Sequence, residues 1–209
     1  MKIKTVRRSI LISCLWACLL TLPVRAQSGR VKPGADEWTR YELAKGALSV
    51  LLPAKPLEEF KQSPPDTKVT VDLYIYSVQR PHGVLVAQYS LLGEVAETWS
   101  ETSIESFYNG VWDGAALGFN NKMQKAGSEL KVVLVEKRII KFNNHDGREV
   151  RFTLGALKGR MLMTLIGREA FLAMVMRTDE MAIEDEEKFL NSYTIKVAPR
   201  AGKTASLRN

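Results

Sequence analysis

Cysteine is nearly absent from this sequence. Of 209 residues only two are cysteines, Cys14 and Cys18. Everything after Cys18 lacks a thiol, which excludes a disulfide, a thiolate nucleophile, a zinc-thiolate centre and a redox pair from the body of the chain. Histidine is almost as scarce, with His82 and His145 the only two. Each lies among turn-forming neighbours, Pro81-His82-Gly83 and Asn143-Asn144-His145-Asp146-Gly147, which places them on exposed turns rather than beside a nucleophile. The sequence also lacks a G-x-S-x-G elbow, an H-E-x-x-H motif and a glycine-rich phosphate loop.

A charge bias is missing once the chain is divided into its parts. The formal charge is +7, from 30 basic and 23 acidic residues. Five of the basic residues (Lys2, Lys4, Arg7, Arg8, Arg25) lie before position 27 and three (Arg200, Lys203, Arg208) after 197, with no acid in either stretch. That leaves 22 basic against 23 acidic residues over 27–197. A near-neutral body carries no electrostatic footprint for phosphate backbones, so no nucleic-acid partner is expected.

The N-terminal run of charge is followed by an apolar stretch, 10–22, then Pro23 and Val24-Arg25-Ala26. A positive region, an apolar region and small residues at the −3 and −1 positions are the layout of a secretory signal. The apolar stretch is broken by Ser13 and Thr21 and rises only about 20 Å as a helix, short of the ~30 Å hydrocarbon core of a membrane. The expectation is therefore a signal peptide over 1–26, cleaved after Ala26 to leave a periplasmic or secreted protein. Leu11-Ile12-Ser13-Cys14 also fits a bacterial lipobox, and Leu15-Trp16-Ala17-Cys18 does so less well. A membrane association is expected only if Cys14 or Cys18 is lipidated.

Residues 27–37 are polar, with Gly and Pro, and read as a flexible leader. The pattern then predicts short strands at 38–43 and 47–52, with an irregular connection over 55–66 containing three prolines. Val69, Val71, Leu73 and Ile75 alternate with polar or aromatic residues, the period of a half-buried strand; a turn at 81–83 and a return strand at 84–92 complete a hairpin. Over 98–121 the period becomes helical, with Ile104, Phe107, Tyr108, Val111, Trp112 and Ala115 on one stripe and Thr98 or Ser100 as cap. Four strands follow at 131–142, 148–157, 160–167 and 170–177, separated by turns at 143–147, 158–159 and 168–169. A second helix over 182–191, capped by Thr178 or Asp179, and a strand at 193–197 close one domain over 38–197; the tail 198–209 reads as disordered and basic. Strand runs interrupted by two helices define an α+β class built on a mostly antiparallel sheet.

Candidate sites are few. With a two-residue loop at 168–169, Met163 falls opposite Met174 and Met161 opposite Met176, so four thioethers share one sheet face. Such a cluster is either soft core filler or a Cu(I) site. Tyr74, Tyr76, Trp99 and Trp112 are the aromatic candidates for a ligand or partner surface. For Tyr74 and Tyr76, packing beneath the long helix is favoured over an exposed recognition surface. Asp72 and Asp113 are the carboxylates around which a hydrolase or lyase site would form.

The order of elements resembles the PsbP-like fold, an α/β/α sandwich on an antiparallel sheet. The resemblance rests on Leu48-Ser49-Val50-Leu51-Leu52-Pro53, the hairpin at 68–92, the helix after it, Gly147-Arg148-Glu149-Val150-Arg151-Phe152, the strand pair at 160–177 and Phe189-Leu190-Asn191-Ser192-Tyr193. It covers 38–197 and includes many exported bacterial domains of unknown function; in photosynthetic members the domain is an extrinsic subunit supporting a membrane complex. It implies a non-catalytic accessory or binding role without a cofactor, and its partner would be a protein or small ligand of the cell envelope. No site residue is carried over.

Overall fold

The structure is a computed structural model that describes residues 37–62 and 71–196. The expected signal peptide with its cleavage point, the leader up to 36 and the tail from 198 lie outside the described residues. Among the described residues ten strands and two α-helices follow in order. They are β1 (Thr39–Leu43), β2 (Leu48–Leu52), β3 (Leu57–Gln62), β4 (Val71–Arg80), β5 (Gly83–Leu92), α1 (Glu101–Lys125), β6 (Val132–Phe142), β7 (His145–Leu154), β8 (Leu157–Ile166), β9 (Glu169–Arg177), α2 (Ile183–Ser192) and β10 (Thr194–Ile195). Seven of the strands form one sheet in the order β3-β4-β5-β9-β8-β7-β6, and β1, β2 and β10 form a second. All recorded pairings are antiparallel.

The alternation along β4 decides how the layers stack. Val71, Leu73 and Ile75 share a core with Val111, Trp112 and Phe119 of α1. Tyr76 and Val78 point the other way, into a core with Leu48 and Val50 of β2 and Phe189 and Leu190 of α2. The large sheet is thus covered by α1 on one face and by α2 with the small sheet on the other, an α+β architecture. Tyr74 and Tyr76 do pack, but not beneath the long helix. The period of two puts them on the opposite face, where the Tyr76 hydroxyl accepts from the Ala44 N–H at 2.8 Å and donates to Glu58.

Each helix end has its own chemistry. Ser100 caps α1, its Oγ accepting the Ser103 N–H at 3.2 Å, and Gly127 closes the far end at φ +71°, a conformation that glycine adopts without steric penalty. For α2 the expected Thr178 or Asp179 cap is not used. The residue before the helix is Ala182 with no side-chain cap, and Asp179 instead meets Lys158 at 2.5 Å.

Three turns differ from the expected ones. The β6–β7 turn is only Asn143-Asn144, both at positive φ, the requirement of a tight two-residue hairpin that asparagine tolerates. The β7–β8 turn is Gly155-Ala156 rather than 158–159, because Gly159 pairs with Phe152 inside the ladder. A Cβ on Gly159 would lie 2.2 Å from the Phe152 ring, so this glycine serves a close approach and not a turn. Gly167-Arg168 replaces 168–169, which moves the register by two: Met161 faces Met174, and Met163 faces Leu172. A shift of two leaves every side chain on its expected face. Finally, the stretch read as an irregular connection contains β3, which pairs along β4 from Leu57↔Ser77 to Gln62↔Asp72. Its charged residues at 58, 59 and 61 hide the alternation on which strand recognition depends.

Candidate functional site

β6 forms one edge of the large sheet, and its sequence explains why it can stand there. Among the described residues it pairs with β7 on one side only. Over eleven residues it exposes Val133, Leu134, Val135 and Ile139, with Val135 at 62% and Ile139 at 75% exposure. An unpaired edge presents free N–H and C=O groups to another chain. A bulge between Leu134 and Glu136 interrupts the pairing with β7; bulges bend and twist an edge and recur beside functional sites.

Under this edge, between α1 and the β6–β7 pair, lies a cleft of about 160 Å³. Val150 and Met163 line it with Ile139, and Glu105, Tyr108, Asn109, Lys137 and Arg148 supply polar groups. The cleft is held together from both sides. Arg148 sends Nε to Glu105 at 3.0 Å, closes on the same carboxylate through Nη2 and donates Nη1 to the Gly147 carbonyl at 2.8 Å. Its guanidinium stacks 5.0 Å from the Tyr108 ring centre. Tyr108 in turn accepts the Leu165 N–H at 3.0 Å and is buried; burial raises its phenol above the ordinary value despite that bond. Lys137 donates to Asn109 at 2.8 Å. The volume is below the ~300 Å³ at which small-molecule sites begin, so the cleft suits one side chain better than a cofactor.

Behind the edge, on the opposite sheet face, Glu149 of β7 is 3% exposed and accepts from three arginines. Arg138 of β6 reaches it at 2.7 Å, Arg151 at 2.9 Å and Arg160 of β8 at 2.8 Å. Burial alone pushes this carboxyl up; the Arg151 hydrogen bond and the charges of Arg160 and Arg151 outweigh it and hold it below the usual carboxylate range. The chain of pairs continues from Arg160 to Glu187 at 2.6 Å and from Arg177 to Glu186 at 2.6 Å. It therefore fastens α2 and β6 to the same sheet face.

Of the residues singled out from sequence, Met163 lines the cleft and the others are distributed elsewhere. Met161, Met163, Met174 and Met176 are all buried in the core under α1, brought together as expected but among Phe152, Trp112 and Leu172. Trp112 is buried there, and Trp99 is half-buried with its ring 5.6 Å from Phe107. Tyr74 stands in an aromatic row, 4.8 Å from Phe60 and 5.9 Å from Tyr89. Asp72 accepts from Gln62 at 2.8 Å, whereas Asp113 is exposed on α1; neither lines the cleft. His82 sits 2.7 Å from Glu180 at the surface. Among the described residues no group of His, Cys, Asp and Glu is arranged to hold a metal ion, and no helix is long and apolar enough to cross a membrane. Cys14 and Cys18 lie outside them. Sequence reasoning did not single out Lys137, Ile139 or Glu149. The one available signal was the run Gly147-Arg148-Glu149-Val150-Arg151, in which an acid sits among arginines on a strand with an apolar alternate face.

No family model matches the chain. No curated protein matches it either. Among solved structures, it is similar to cyanobacterial PsbP (CyanoP) from Synechocystis sp. PCC 6803, at 10% identity over 79% of this chain and 96% of that one, with a TM-score of 0.47. It is also similar to PA94, a protein of unknown function from Pseudomonas aeruginosa, at 11% identity over 78% and 97% of the two chains, with a TM-score of 0.32. Both scores fall below one half, so neither likeness bears on what this chain does. Its α+β class stands on the strands and helices described above.

Proposed function

We propose that this chain is an exported, non-catalytic accessory domain that binds a protein of the cell envelope along β6. One observation carries the reading: among the described residues the sheet ends in an eleven-residue strand, unpaired on its outer side, that exposes Val133, Leu134, Val135 and Ile139. Strand addition at such an edge supplies main-chain hydrogen bonds for affinity and side-chain pockets for specificity, and the cleft beneath provides one pocket. The positive, apolar and small-residue regions at the N-terminus support export.

A photo-reactive amino acid placed at position 139, and for comparison at 113 on the exposed side of α1, tests this in intact cells. The expected result is a discrete adduct from position 139 and none from 113. Equal labelling from both positions, or no adduct from 139, contradicts the reading.

A further inference from the structure

The charges along β6 are unequally spent. Arg138 meets Glu149 at 2.7 Å and Glu136 at 3.5 Å, Lys141 meets Asp146 at 2.7 Å, and Arg148 closes on Glu105. Glu136 itself lies between Arg138 and Arg151. Lys137 is different. It is exposed, it lines the cleft, and its recorded partner is the neutral amide of Asn109. Lys131, one residue before the strand, is likewise exposed and has no ion pair among the described residues. The edge therefore presents aliphatic side chains with cations that nothing in the described fold neutralises.

We infer that the partner segment docked on β6 is an extended stretch of another protein carrying an acidic side chain opposite Lys137, set between aliphatic residues that cover Val135 and Ile139. This rests on the reading of β6 as the binding edge and names the chemistry that edge selects. The carboxylate enters the cleft mouth, where Glu105 is already neutralised by Arg148 and offers little repulsion. A second copy of the chain fits poorly. Two β6 strands paired antiparallel with Glu136 against Arg138 place Lys137 directly against Lys137, and like charges directly opposite destabilise a strand pair. Any other centre loses the Glu136–Arg138 match, and lysine on an edge is a recognised guard against self-pairing.

A library of random extended nonapeptides, selected on the protein purified in the N-terminal form the cell gives it, tests the inference. The expected winners carry an acid flanked by aliphatic residues. Their affinity falls at least tenfold on Lys137→Glu and less on Lys137→Gln, and a peptide with lysine in place of the acid recovers binding to the Lys137→Glu protein. Lys137 is exposed, so both variants should keep the fold, and circular dichroism of each checks that they do. Winners without an acid, or affinities indifferent to both substitutions, overturn it. If Ile139→Lys abolishes binding while the Lys137 variants do not, the edge reading survives and the acidic partner is wrong. If no peptide is enriched, or none is sensitive to Ile139→Lys, both fail. A free protein that sediments as a dimer, and dissociates on Ile139→Lys, replaces the acidic partner with a second copy.

Discussion

The two edges of the large sheet handle the same problem in opposite ways. β3 is six residues long and carries Glu58, Glu59 and Lys61, with Lys61 paired to Glu59 at 2.8 Å and Glu58 accepting from Tyr76. Its exposed Phe60 leans on Tyr74 in the aromatic row. Short length and charge are the usual protections of an edge. β6 is eleven residues long; Arg138 turns inward to Glu149, Lys141 meets Asp146 at the surface and Lys137 stays unneutralised, while its aliphatic side chains stand out. The difference teaches where to look for a partner: on β6 Arg138 is occupied in holding the strand to the domain, and the exposed Lys137 is left among aliphatic side chains.

The largest effect should come from removing the carboxylate that anchors β6. Glu149→Leu leaves three arginines around an apolar side chain, and breaking a buried ion cluster from one side costs about 3 kcal/mol, the low end of the usual range because the arginines are partly solvated. Urea denaturation measures it. Glu59→Gln on β3, an exposed pair, should change stability by less than about 0.5 kcal/mol. Equal costs at the two edges would erase the contrast.

Gly159→Ala comes next, at about 1–3 kcal/mol, because the added methyl meets the buried Phe152 ring and the backbone of β8 has to move. The same denaturation series reads it. A stabilised variant would mean that the β7–β8 seam behind β6 has slack.

Acid should act on the β6 side in particular. The folded Glu149 carboxyl titrates below its unfolded value, so its contribution is fully present above the unfolded pKa, about 4.3, and is lost as pH falls through the lower folded value. Wild type should therefore lose stability steadily below about pH 4.3, and Glu149→Gln should flatten that slope. An unchanged slope would show that Glu149 is not the responsible group.

The smallest stability effect belongs to Ile139→Lys, within about 0.5 kcal/mol at so exposed a site, yet it should weaken partner binding at least tenfold. Phe60→Lys on β3 should do the reverse: it loses about 0.5–1.5 kcal/mol of ring contact and leaves binding unchanged. Paired denaturation and titration of the two variants separate the edges.

Much of the fold was legible because periodicity reports burial. Val71, Leu73 and Ile75 announce a half-buried strand, and the stripe from Ile104 to Ala115 announces α1. What failed was information held by the partner strand. Gly159 looks like a turn until Phe152 is known to lie across it, and β3 shows no apolar period because charged Glu59 and Lys61 occupy its half-buried positions. The site was less legible for the same reason. Glu149 becomes a hub only when Arg138 and Arg160 arrive from the strands on either side, and Lys137 becomes an unneutralised cation only once every neighbouring charge has found its partner. The aromatic and methionine residues that stood out in the sequence do so because they build the two cores.

Hydrogen–deuterium exchange on the protein, free and bound to the segment selected on it, tests the central claim most directly. Strand addition at β6 predicts that amides within Val132–Phe142 gain protection on binding while those within Leu57–Gln62 do not. Protection that appears along β3, or on α1 with β6 unchanged, would contradict it.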